Sequence, residues 1–212
     1  MKKVIISTIL LLGLAFTSLN AQHLEGILSD GQQMDEGKIS VAASLDIDNE
    51  GLFLRGRYAL SIGELFGGVG LYDEFIGTHL FLGLERAHRS FEVAEGMNLH
   101  GFYQFAVAYR LVDNLGLDLT STTFRASYLV RNEFTSKISV YTGLTGAFIT
   151  QSVELNPLGS STQINENDVQ FTLPIGARFK LDEAGKMNIF TELGLGFSTG
   201  AGYLHAGFRY GL

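Results

Sequence analysis

The side chains that could carry chemistry are thinly spread along this chain. Nucleophilic catalysis needs a base within hydrogen-bond reach of the nucleophile. His88-Arg89-Ser90, with His79, His100 and Glu85, supplies the residue types, but their spacing identifies no triad. Five dispersed histidines and no cysteine give none of the close ligand spacings of a structural zinc site. Gly67-Gly68-Val69-Gly70 has the glycines of a phosphate loop, yet no Lys-Ser/Thr follows it and no helix opens there. It reads as a strand whose glycines allow close packing. The expectation is therefore a protein that is not an enzyme and holds no metal or cofactor. What remains is a scatter of arginines and glutamates, whose meaning depends on the elements that carry them.

Those elements are strands. Alternation of apolar with polar or small residues, the period of a pleated strand, recurs along the chain, and no capped helical stripe interrupts it. In Val169–Leu181 the odd positions are apolar. After the turn-like 182–186 stretch, Met187, Ile189, Leu193, Leu195 and Phe197 share one face. Beyond 199–202, Leu204, Ala206, Phe208, Tyr210 and Leu212 share another. Working backwards, Ile138–Ser152 and Thr120–Arg131 form a hairpin around 132–136, and Leu99–Arg110 alternates as well. Lys38–Asp46, Gly51–Leu60, Leu65–Tyr72 and Gly77–Glu85 complete ten strands, or eight if Leu65–Tyr72 is loop. The polar run Glu154–Asn167 reads as the longest loop, and 87–97 as a second long connection. Pro174 cannot donate to a ladder, so a local break is expected there.

The N-terminus has the form of a secretory signal. Lys2 and Lys3 precede the apolar run Val4–Phe16, and small residues lead to Ala21 as the cleavage position. The apolar run is about a dozen residues, short of the about 20 that a spanning helix needs. Cleavage leaves 191 residues (212 − 21), enough for one domain. It also removes two lysines, so the mature charge is 13 − 22 = −9, a poor balance for a nucleic-acid partner. The expected organisation is a signal peptide over 1–21, a short periplasmic segment over 22–37 and one β-domain over 38–212. The acidic His23–Gly37 stretch could tether or plug the periplasmic mouth, with disorder as its default state.

The solvent around the domain follows from the strand faces. In water an antiparallel sheet shows a densely charged outer face. Here the polar faces carry mainly Gly, Ser, Thr and Gln with a few charges, while the apolar faces carry bulky Phe, Tyr, Leu and Ile. Tyr58, Tyr72, Tyr109, Tyr128 and Tyr210 lie near strand ends, as in an aromatic girdle at a membrane interface. The final segment, Leu204-His205-Ala206-Gly207-Phe208-Arg209-Tyr210-Gly211-Leu212, resembles the C-terminal signature of bacterial outer-membrane barrels, with Leu212 where Phe is usual. With Arg57-Tyr58-Ala59-Leu60 and Leu173–Phe179, it makes residues 37–212 similar to the outer-membrane β-barrel domain superfamily.

That resemblance implies an all-β fold: a closed, antiparallel, up-and-down transmembrane barrel in the outer membrane of a Gram-negative cell. The implied partners are outer-membrane lipid and the barrel-assembly machinery, the latter through Leu204, Ala206, Phe208, Tyr210 and Leu212. Oligomeric state stays open. With apolar faces toward lipid, the lumen receives Arg55, Arg57, Glu85, Arg110, Arg125, Arg178, Glu192 and Arg209, with His79, His100 and His205 on the same face. Such charges are tolerable only when paired, so the lumen is expected to be a polar plug, or else a narrow porin-like pore. A structural or interaction role goes with the plug. The alternatives are a soluble periplasmic barrel binding a lipid-like ligand, which would invert the faces, and an outer-membrane lipid-modifying enzyme.

Overall fold

A computed structural model of the chain describes residues 34–47, 51–72, 77–94, 97–114, 117–155, 162–197 and 202–212. The expected signal peptide lies outside them, as does the segment after it up to residue 33. Ten strands follow in order: β1 Ile39–Asp46, β2 Gly51–Leu60, β3 Gly63–Tyr72, β4 Gly77–Ala94, β5 Met97–Asn114, β6 Leu117–Glu133, β7 Ile138–Leu155, β8 Thr162–Lys180, β9 Met187–Gly196 and β10 Gly202–Gly211. Each pairs antiparallel with its neighbours in sequence, and β1 pairs with β10 to close the barrel. The chain folds as the expected up-and-down barrel of ten strands. The eight-strand alternative fails at β3, which pairs along its whole length with β2.

The strands are staggered. Partners followed from Ala43 through Leu54, Val69, Leu80, Tyr109, Thr122, Thr150 and Asn167, with the registers then continued round to β1, arrive 12 residues along its line (55 − 43). A sheet closes into a barrel only with such a shear, which tilts the strands by about 35–45°. The stagger leaves the β4–β5 hairpin projecting at the end where β1 begins and the β7–β8 hairpin projecting at the other. Both projections correct the sequence reading. The 87–97 connection is largely strand, with β4 reaching Ala94 and β5 starting at Met97. Much of the expected Glu154–Asn167 loop is strand as well: β7 reaches Leu155 and β8 starts at Thr162, with Glu154 paired to Gln163 and Ser152 to Asn165. Strand outside an apolar belt meets water on both faces, so polar composition does not mark its end.

Pro174 falls inside β8, where the β7–β8 pairing skips Gly143-Leu144 and Leu173-Pro174 and resumes in the same register. The expected break is thus a short gap without a slip. In the β8–β9 turn, Gly185 takes a positive φ of 67° that side chains disfavour. Its N–H donates to the Asp182 carbonyl at 3.2 Å, while the Met187 N–H donates to Asp182 Oδ1 at 2.8 Å.

The two faces of the sheet decide its environment. Leu54 is 52% exposed, Phe105 57% and Phe124 54%, whereas Arg178 is 1% exposed and Glu192 1%. Large apolar side chains cover the outside and charged ones fill the inside, the inverse of a water-soluble barrel. This sets aside the soluble ligand-binding alternative, which needs the Phe and Leu rows buried.

Candidate functional site

Charged side chains gather in the lumen, and parity puts them there. All eight charged positions named from the sequence are buried: Arg55, Arg57, Glu85, Arg110, Arg125, Arg178, Glu192 and Arg209. The same alternation brings in Asp46, Glu64 and Arg131, which the sequence reading passed over although they keep the phase of their strands. Among the described residues, seven arginines and four carboxylates are buried.

They fall into layers along the barrel. Near the end where β1 begins, Arg57 on β2 bridges Glu64 on β3 at 2.6 Å and Glu85 on β4 at 2.9 Å. Gln104 on β5 donates to the second oxygen of Glu85 at 3.2 Å. The backbone N–H of Met34 donates to Glu64, so the last residues of the N-terminal segment fold into this mouth. Their turn is held by Gly37 N–H on the Ala59 carbonyl at 2.9 Å. At the rim, Arg131 and Arg178 approach Glu133 at 3.5 and 3.9 Å. Arg131 also lies over the ring of Phe102, 5.1 Å from its centre.

Deeper in, Glu192 on β9 is held between two tyrosines. Tyr141 on β7 and Tyr203 on β10 each donate a phenolic hydrogen bond to it, both at 2.6 Å. Bonds this short to a carboxylate are the strong class. Arg125 and Arg55 are buried in the same lumen, and Arg55 faces the Phe190 ring at 5.9 Å. Toward the far end, His205 Nε2 lies 3.6 Å from Asp46. Tyr72 Oη is 3.3 Å from His79 Nδ1, and Arg110 stacks over the Tyr72 ring at 4.5 Å. Phe53 packs against Tyr72, His79 and His205.

Two placements differ from the sequence reading. Tyr72 belongs to this lumen layer and not to an outer girdle, because it keeps phase with the inward Glu64 and Phe66; Tyr58, Tyr109 and Tyr210 do face outward. His100 has lumen parity but lies on the projecting β4–β5 hairpin, half-buried, where its Nδ1 meets Ser90 Oγ at 2.7 Å. The serine and histidine considered for catalysis thus touch, on an exposed hairpin away from the lumen.

A rule of packing that the sequence reading missed orders the aromatic rings inside. Phe53 stands opposite Gly70, Tyr72 opposite Gly51, Phe66 opposite Gly83, and Phe81 opposite Gly68. Tyr141 faces Gly176, Phe190 faces Gly207, and Tyr203 faces Gly194. A Cβ on Gly194 would sit 2.0 Å from the Tyr203 ring, and one on Gly176 2.1 Å from that of Tyr141. Each ring lies across the notch left by the missing side chain. The available signal was an aromatic and a glycine of inward parity at paired positions, which needs the register to be read.

This lumen, enclosed by strands with an apolar exterior, defines the class: the chain is a ten-stranded antiparallel β-barrel of the transmembrane type. No protein-family model matches it, and no curated protein matches it by sequence. Among solved structures it is similar to the KdgM porin, at 12% identity and TM-score 0.41, covering 82% of this chain and 98% of that one. It is also similar to the outer membrane enzyme PagL, at 15% identity and TM-score 0.37, covering 82% and 98%. Ail, the attachment invasion locus protein of Yersinia pestis, matches at 11% identity and TM-score 0.33, covering 84% and 100%. The likeness is one of barrel architecture and extends no further.

Proposed function

We propose that this protein is an integral outer-membrane barrel with a structural or interaction role, non-enzymatic, whose lumen is a sealed polar plug. The observation that carries this reading is the filling of the interior by large side chains tied across it. Arg178, Arg209, Tyr141, Tyr203, Phe53 and Phe190 are all buried to below 2% exposure or at 2%, and Glu192 links β7, β9 and β10 through its two tyrosine hydrogen bonds. Small barrels have interiors just wide enough for side chains to fill, and two strands beyond eight add little room.

Two measurements test it. Fractionation of expressing cells, with membranes washed in carbonate and run on gels with and without boiling, should give a membrane-resident protein whose mobility changes on heating. Recovery in the periplasmic extract with no heat shift would sink the membrane reading. The folded protein in a planar bilayer should then show no steady conductance. The excess of buried arginine over carboxylate favours one second reading, a narrow pore preferring anions. Steady steps with a reversal potential on the anion side would replace the plug by that pore.

A further inference from the structure

We propose that the free edge of β8 on the projecting β7–β8 hairpin is a docking site for an extended, basic polypeptide segment, which adds to the sheet as an eleventh strand. This holds whether the lumen is sealed or conducts.

The edge follows from the stagger. β7 pairs with β8 from Leu155 and Thr162 downward, but β9 meets β8 only from Thr172. Beyond that pairing stands one further bond, Phe197 N–H to the Phe171 carbonyl at 2.9 Å. Among the described residues no strand covers the outer side of Thr162–Gln170. Residues of an antiparallel strand turn both backbone groups to one side and alternate sides along the chain. Since Phe171 faces β9, the residues in phase with it face the free edge: Val169, Asn167, Asn165 and Gln163. The Val169 N–H is already taken by Asp168 Oδ1 at 2.8 Å. Asn167, Asn165 and Gln163 remain, with an N–H and a carbonyl each, in the pattern that strand addition uses. Proteins commonly guard such edges with lysine, proline or a bulge; Thr162–Gln170 has no lysine and no proline, and its pairing with β7 shows no register shift.

Charge selects the occupant. The projecting sheet consists of 117–122, 150–155 and 162–170, which hold Asp118, Glu154, Glu166 and Asp168 and no Lys or Arg. Asp118 stands directly opposite Glu154, where like charges repel. Glu166 and Asp168 share one face of the edge strand, so a lysine or arginine at alternate positions of an added strand would fall beside them. A second copy of the same edge would bring Glu166 and Asp168 against their own kind. The outward residues Thr120, Thr122, Thr150, Ser152, Asn165 and Asn167 are polar, which places this sheet above the apolar belt and within reach of a soluble partner.

The test uses the full folded protein in detergent or nanodiscs and a fluorescein-labelled Lys-Thr-Lys-Thr-Lys-Thr-Lys peptide, read by anisotropy. Binding should weaken with salt, and the Glu-Thr counterpart should not bind. Asn165→Pro with Asn167→Pro removes two edge N–H groups without touching the ladder to β7, and should weaken binding about thirtyfold. Glu166→Gln should weaken it less and flatten the salt dependence. If the proline variant loses its heat-shifted gel band, the same peptide N-methylated at alternate residues, tested on the unaltered protein, should lose binding instead. Equal binding by the proline variant and by the N-methylated peptide would show charge adsorption without strand pairing and overturn the proposal. So would absence of binding, equal binding of the acidic peptide, or peptide-independent dimers abolished by the proline pair.

Discussion

Gly176→Ala adds one methyl group and should be among the most damaging small changes in this barrel. The new Cβ would lie 2.1 Å from Tyr141 Cζ and 2.4 Å from its hydroxyl oxygen. Tyr141 is 1% exposed, so its ring has no open space to move into and must leave the Glu192 carboxylate to relieve the clash. Overpacking a core by a methylene costs about 1–3 kcal/mol. A hydrogen bond to a charged group contributes about 1.5–3 kcal/mol. Against this, replacing Gly by Ala inside a strand returns about 0.5–1 kcal/mol of backbone entropy. The expected net loss is about 2–5 kcal/mol. Gly56 supplies the control, since it lies on the outward face of β2 and a Cβ there meets nothing within 4 Å. Gly56→Ala should be neutral or stabilising by about 0.5–1 kcal/mol.

The chain has no tryptophan, so unfolding is best followed by far-UV circular dichroism, or by the ratio of heat-shifted to unshifted gel bands across a urea series. The pair Gly176→Ala and Tyr141→Ala makes the reasoning refutable. Once the ring is gone, the methyl has room, and the cost of Gly176→Ala should fall to near zero in the Tyr141→Ala background. An equal cost in both backgrounds would mean that the ring-in-notch contact is not what the glycine protects. A Gly176→Ala midpoint as high as that of Gly56→Ala would sink the argument outright.

Two further changes separate the lumen from the lipid face in the same assay. Arg57→Ala leaves Glu64 and Glu85 buried without their shared cation and should cost about 3–5 kcal/mol, whereas Arg57→Met combined with Glu64→Gln and Glu85→Gln should restore much of it; a triple variant no better than Arg57→Ala would refute the pairing. Phe105→Arg puts a cation in the outward apolar belt and should cost about 2–4 kcal/mol, against about 0–1 kcal/mol for Thr150→Arg beyond the belt; equal costs would mean that the belt does not contact lipid.

How much of this was legible in the sequence depended on which physical constraint governed each residue. Where lipid meets the outer face, alternation is enforced residue by residue, and the strands through Leu54, Phe105 and Phe208 could be read without a structure. The same enforcement fixed the inward parity of Arg55, Arg125 and Glu192. Outside the belt that constraint lapses. Gln163, Asn165 and Asn167 lie in strand because β7 pairs with them, and their composition had suggested a loop. His100 shows the converse: its parity was right, but parity does not say how far along the barrel axis a residue lies.

The aromatic–glycine pairs were illegible for a deeper reason. Tyr72 reads as a girdle residue only if every aromatic is assumed to seek lipid. Inside a narrow barrel, a ring placed opposite a residue with a side chain would collide with it, while glycines facing one another would leave a hole. Setting a ring opposite a glycine lets the two share the space that one side chain would fill. The polar groups then need only the space that remains, and Glu192 receives its two hydroxyl donors from rings already fixed in place by Gly176 and Gly194.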